Sequence, residues 1–170
     1  MRRWVAAVGS SVFMALAPGT VAGLGPWWLT GWRDTSSSPP TKVLGGALVL
    51  AGGVVLVQAF ARFVVEGLGT PAPVAPTEHL VVGGLYRYVR NPMYLAVVVA
   101  ILGQALLFGR LVLVAYAVPV AALMWAFATW YEEPALARRF GPEYEQYRSA
   151  VPGWRPRLRP WTPAGPPPAG

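Results

Sequence analysis

Between Val43 and Val65 the chain runs for 23 residues with a single charge, Arg62, close to the end of the run. A helix that crosses a bilayer needs about 20 mostly apolar residues, so this segment alone satisfies the requirement. Three more apolar runs accompany it. Leu111 to Trp130 carries no charge. Met93 to Phe108 is shorter, but Pro92 suits the first turn of a helix, and Gly109 followed by Arg110 suits a tight turn into the next one. The first run, Trp4 to Leu29, is interrupted by Pro18 and Pro26. It lacks a small-residue cleavage pattern and reads as a retained span rather than a signal peptide. The expected fold is therefore an all-α integral membrane protein with about four spans, near residues 4–29, 43–65, 92–108 and 111–130. A single membrane-embedded domain covers 1–160, and 161–170 form a Pro/Gly tail.

Composition agrees. Hydrophobic residues make up 55% of the 170 and charged residues 12%, about half the charge of an ordinary soluble domain. With no cysteine, disulfides, iron–sulfur clusters and a cysteine nucleophile are excluded. One histidine gives no basis for a zinc site, so no metal is expected. The net charge of +7 would suit a nucleic-acid binder, but its placement points elsewhere. If four spans are assumed, 11 of the 14 Lys and Arg fall on one side. They are Arg2, Arg3, Arg62, Arg87 and Arg90 with six arginines between Arg138 and Arg159. The positive-inside rule then places both termini in the cytoplasm, and the excess charge faces membrane lipids, not nucleic acid. Abundant Ala, Gly, Pro and Arg with one Lys suit a GC-rich bacterial genome, and hence a bacterial plasma membrane.

The two sides differ in kind. Residues 30–42 read as an external spacer, with Trp27, Trp28 and Trp32 as interfacial anchors. Unusual polar residues gather on the other side, in Glu78 to Tyr94 and Tyr131 to Arg159. A tight hairpin between the last two spans brings Tyr86, Arg87, Arg90, Asn91 and Tyr94 near Glu132 and Glu133. Charges at the membrane edge are costly unless paired, which marks the place as a candidate site. Ala135 to Tyr147 reads as surface helix broken at Gly141-Pro142.

These residues carry a resemblance. Gly84-Leu85-Tyr86-Arg87-Tyr88-Val89-Arg90-Asn91-Pro92-Met93-Tyr94-Leu95-Ala96, then an apolar span, then Glu132-Glu133, resembles the isoprenylcysteine carboxyl methyltransferase family, itself related to phospholipid N-methyltransferases. Phe140 to Arg148 and Val151-Pro152 are similar to that family's C-terminal segment. The resemblance covers about half of the chain. It implies an integral-membrane enzyme that transfers methyl from S-adenosylmethionine to a lipophilic small molecule or lipid bearing a carboxylate, amine or hydroxyl. It implies a cofactor pocket open to the cytoplasm, built from Tyr86, Arg90, Asn91, Pro92, Tyr94, Glu132, Glu133, Tyr144 and Tyr147, with Arg90, Asn91 and Glu133 closest to the chemistry. The carboxylates suit the cofactor's amino group or sulfonium, Arg90 suits a carboxylate, and the aromatic rings suit adenine.

Two positions depart from the family pattern. Asn91 stands where the family has histidine, so hydrogen bonding is kept but titration is lost. Ala96 stands where the family has glycine. A non-catalytic lipid-binding scaffold of the same fold is the alternative, and Asn91 favours it. Cofactor binding separates the two.

Overall fold

The computed structural model describes residues 8, 12, 16–35, 37–62, 65–66 and 79–162. Much of the first half of the first apolar run, Arg2, Arg3, Ser36, the Pro71–Glu78 stretch and the tail from 163 lie outside the described residues. Among those described, the chain is helical with connecting turns and contains no strand.

Residues 16–19 are helical and lead through a π-helical turn, Thr20–Leu24, into α1, Gly25–Thr30. Pro18 and Pro26 interrupt the apolar run, but neither ends this helix. The backbone shows how the irregularity is absorbed. Pro26 has no N–H, so the carbonyl of Ala22 has no α-helical partner. Gln104 Nε2 donates to it at 2.6 Å. The wide turn also diverts the N–H of Gly25 to Thr20 O, and the hydroxyl of Tyr116 donates to the carbonyl of Val21 at 3.0 Å. The buried Gln104 therefore completes the backbone hydrogen bonding of a neighbouring helix.

Among the described residues, two helices are long and apolar enough to cross a membrane. The first is α2, Pro39–Arg62. The second is one rod, Leu111–Phe140, made of α4 (Leu111–Phe127), a π-helical turn (Ala128–Glu132) and α5 (Glu133–Phe140). Between them in sequence lies α3, Pro92–Phe108, apolar apart from Tyr94 and Gln104 but only 17 residues long. That length spans about 25 Å.

Pro92 opens α3, and Gly109 closes it at φ 63°, a left-handed position that frees the chain to turn directly into α4. α2 and α3 approach through small residues. A Cβ on Gly45 would lie 2.5 Å from the Leu107 nitrogen, and one on Gly52 would lie 2.8 Å from the Ala96 carbonyl. Such glycines let two apolar backbones touch, which is how helices associate without help from water. Ala96 is buried in this seam. Outward-facing Val43, Leu50, Val57, Val118 and Leu123 remain exposed, as a lipid-facing surface requires.

Residues 30–38 are more than a spacer. Thr35 N donates to Phe108 O, Ser37 Oγ to Leu107 O, and Arg110 Nε to Arg33 O. The loop thus satisfies carbonyls at the C-terminal end of α3 that the helix itself leaves unpaired.

At the opposite end, α5 meets α6 (Pro142–Ala150) at Gly141. Its φ of 51° and ψ of −126° lie in a region only glycine enters readily, so the break expected at Gly141-Pro142 is present. A second core forms here, at the end of α2 and beyond it, from Ala59, Leu80, Val81, Tyr86, Tyr144, Tyr147 and Val151.

Candidate functional site

The motif begins with a 3-10 turn, Gly84–Arg87. Its position is set from α2, because Glu66 Oε2 accepts from Gly83 N at 2.8 Å while Glu66 Oε1 pairs with Arg62 Nη1 at 2.6 Å. This i,i+4 pair is visible in the sequence, but its docking role was not. The chain after α6 then lies across the motif. Arg90 N donates to Pro152 O, Asn91 N to Gly153 O, Arg157 N to Tyr88 O and Trp161 N to Arg87 O. Main-chain hydrogen bonds therefore fix Arg90 and Asn91 from both sides.

Arg90 reaches three elements. Its Nε donates to Val151 O at 2.9 Å, and its Nη1 donates to Glu133 Oε1 at 2.7 Å and to the Tyr144 hydroxyl at 3.1 Å. The Arg90 and Glu133 side chains are each only 14% exposed. Arg148 approaches the other oxygen of Glu133 at 3.5 Å. Beside this cluster, the Tyr94 hydroxyl donates to Glu132 Oε1 at 2.7 Å, and the Tyr94 ring stacks with Trp154 at 6.1 Å between centroids.

The two carboxylates do not sit at a helix C-terminus. Helix continues through them to Phe140, and the π-helical turn Ala128–Glu132 delivers them. A π turn widens the helix locally and re-aims the residues that follow, and such turns recur at functional sites. Here adjacent glutamates address Tyr94 and Arg90, both from the segment that opens α3.

Two polar groups remain over. Asn91 Nδ2 is buried and has no hydrogen-bond partner, although Asn91 is the residue preceding α3 and makes no side-chain cap. Arg90 Nη2 makes no hydrogen bond to a described residue. Both face Gly153. A Cβ there would stand 3.2 Å from Arg90 Nη2 and 3.4 Å from Asn91 Nδ2. A side chain at 153 would press against both groups, so glycine is what lets this segment pass so close to them.

The other expected residues fall elsewhere. Arg87 turns away from the glutamates, its Nε donating to Trp161 O at 2.6 Å and its Nη2 to Thr162 Oγ1 at 2.9 Å. Tyr86 and Tyr147 are packed in the outer core, with the Tyr147 hydroxyl donating to Tyr86 O at 2.7 Å. Their ring faces are covered. Burial raises the phenols of Tyr86, Tyr144 and Tyr147 above the ordinary tyrosine value, Arg90 partly opposing this for Tyr144 and Tyr147. All three remain neutral hydroxyls at neutral pH. Pro92 starts α3 and faces away from the glutamates. Gly153 was not foreseen at all. Among the described residues, no three His, Asp or Glu come together as metal ligands would.

Arg90 and Tyr94, at the entry to one span, thus meet a glutamate pair at the exit from the next. A family model described as phospholipid methyltransferase matches residues 40–143. The chain belongs to the phospholipid methyltransferase family. The match runs from α2 into the start of α6, so it includes the motif, the hairpin and both glutamates. A curated relative, protein-S-isoprenylcysteine O-methyltransferase of Schizosaccharomyces pombe, is 36% identical over 90 residues. That alignment covers 48% of this chain and 35% of the relative, so the chain spans about a third of that protein's length. No solved structure matches the chain. Family membership, together with α2 and the Leu111–Phe140 rod, marks a membrane protein.

Proposed function

We propose that this chain is an integral-membrane methyltransferase that uses S-adenosylmethionine and methylates a lipophilic acceptor at the membrane edge. Family membership supports the class of reaction, and the name of the yeast relative supports a prenylated carboxylate as one form of acceptor. The observation that carries the reading is the pair of unused donors, Arg90 Nη2 and Asn91 Nδ2, facing the bare Gly153. Asn91 Nδ2 is a buried donor without a partner, which costs free energy, and a carboxylate reaching it together with Arg90 Nη2 would satisfy it.

The residues fit the cofactor in kind. Arg90 and Asn91 would hold its carboxylate. Glu132, with one oxygen engaged by Tyr94, has acceptor capacity left for a cation. The Tyr94–Trp154 aromatic pair offers the apolar wall that adenine or a sulfonium prefers. When bound, S-adenosylmethionine supplies an electrophilic methyl group.

The chain's own residues do the rest. Glu133, held between Arg90 and Arg148, fixes the direction of the Arg90 fork. Tyr144 steadies the same guanidinium. The backbone pairing of 90–91 with 152–153 keeps the donor pair in place before binding, and alignment of two reactants in advance removes much of the entropic barrier. A carboxylate acceptor needs no general base, which agrees with asparagine standing where the family has histidine. Four spans, the fourth being the first apolar run, and cytoplasmic termini complete the proposed topology. It places the arginine-rich face and the site on the side that holds the cofactor.

Titration of the detergent-purified protein with S-adenosylhomocysteine by calorimetry tests this. Gly153→Ala puts a methyl group into the cradle and should weaken binding at least tenfold. Gly46→Ala, at a glycine with open space around it, should leave binding unchanged. Equal affinity in wild type and Gly153→Ala would refute the site, and no binding by the folded wild type would favour the scaffold reading.

A further inference from the structure

A cavity of about 510 Å³ lies on the other side of α3 from the glutamates. Its volume falls within the ~300–1,000 Å³ usual for ligand sites. Pro92, Leu95, Ala96 and Val99 line it from α3, Ala51 and Val55 from α2, and Pro156 closes one end. The α3 residues follow i, i+3, i+4, i+7 spacing, a single stripe of the helix. Tyr94, bonded to Glu132, is not on that stripe. The helix therefore separates two different environments, a polar site toward the glutamates and an apolar groove toward α2. From Pro92 to Val99 the groove descends about 10 Å along the spans.

Its upper end has a distinct chemistry. Pro156 belongs to the segment that backbone hydrogen bonds from Arg157 and Trp161 tie onto the motif. On this held segment Leu158 is 99% exposed. Arg155 beside Pro156, and Arg159 beyond Leu158, are exposed and make no ion pair among the described residues. Nothing about the segment's own folding calls for an exposed leucine between arginines. At a membrane surface the arrangement is coherent, because leucine enters the acyl region while arginines meet phosphates.

We propose that the groove between α2 and α3 binds one chain of an anionic phospholipid, with its headgroup held by Arg155 and Arg159. This lipid is a resident of the protein and not the methyl acceptor. Charge complementarity selects the occupant, since Pro156 lines one end of an otherwise apolar slot, exposed Arg155 precedes it directly, and exposed Arg159 follows three residues on along the same held segment. The inference rests on α2 and α3 lying in a bilayer and is independent of the methyl-transfer chemistry.

Native mass spectrometry of the full chain in mild detergent provides the test, with phosphatidylglycerol and phosphatidylcholine of matched chains as probes. Wild type should retain one phosphatidylglycerol in preference to phosphatidylcholine. Each of Arg155→Gln and Arg159→Gln should weaken phosphatidylglycerol retention about fivefold, and the pair about thirtyfold. Ala51→Trp, which grows from an exposed position into the groove, should abolish retention of both lipids. S-Adenosylhomocysteine binding, measured in parallel, should persist in all these variants and so reports folding. If the wild type itself binds no cofactor, lipid retention still decides the groove. Equal retention of the two lipids, retention in Ala51→Trp, or an unchanged arginine double variant would overturn the proposal. So would recovery of methylated phosphatidylglycerol that Ala51→Trp eliminates, because the groove would then be the acceptor's own site.

Discussion

The Arg90–Glu133 pair allows the energetics of the site to be separated from its chemistry. Replacing Arg90 by Met removes hydrogen bonds at 2.9, 2.7 and 3.1 Å and leaves Glu133 with Arg148 at 3.5 Å. Breaking a buried ion pair from one side costs about 3–5 kcal/mol. The 14% exposure of both side chains and the presence of Arg148 place this case at the lower end, about 3 kcal/mol. Glu133→Leu leaves the Arg90 guanidinium with only neutral oxygens and should also cost about 3 kcal/mol. The double variant strands no charge inside. It loses the partners of Val151 O, the Tyr144 hydroxyl and Arg148, which again amounts to about 3 kcal/mol. The sum of the single effects should therefore exceed the double effect by about 3 kcal/mol. Unfolding in mixed dodecyl sulfate–detergent micelles, followed by tryptophan fluorescence, reads all four corners of the cycle. Additivity within about 0.5 kcal/mol would mean the two side chains do not act as a pair, and the explanation for how Arg90 is oriented would fall.

Further outcomes follow from packing and burial. Gly45→Ala should destabilise the α2–α3 seam by about 1–3 kcal/mol in the same unfolding assay, because its Cβ meets the backbone of α3, whereas Gly46→Ala, with nothing within 4 Å, should not. Tyr147→Phe should cost about 1 kcal/mol by removing the buried hydrogen bond from its hydroxyl to Tyr86 O in the outer core. Burial holds the Tyr147 phenol above the ordinary tyrosine value of about 10, so its contribution is fully present below that pH. As pH rises above it the unfolded chain ionises first and wild-type stability falls. Tyr147→Phe should show a shallower alkaline decline in a pH series of melting temperatures.

Much of this arrangement was legible because it depends on neighbours in the chain. The apolar runs mark α2, α3 and α4, Pro92 and Gly109 bound α3, and Gly141-Pro142 separates α5 from α6. That Arg90 and Tyr94 lie near the glutamates was expected from a tight hairpin, though which residue meets which was not. What stayed hidden depends on where distant backbone passes. Arg87 and Arg90 look equivalent in sequence, yet the returning segment offers a carbonyl to one at Trp161 and to the other at Val151, and only Arg90 stays with the glutamates. The role of Gly153 exists only because that segment crosses Asn91. Gln104 would read as an intramembrane functional residue until the unpaired carbonyl left by Pro26 explains it.

The segment from Val151 to Trp161 is synthesised after every span described here, yet it supplies the carbonyls that hold Arg90 and Asn91. During biosynthesis the spans can therefore enter the membrane and pair while the arginine–asparagine corner is still open to water. Closing that corner is a late event, made by a strip of chain with no regular structure of its own. The membrane part of this protein can be built before its site exists, and the two can be lost separately.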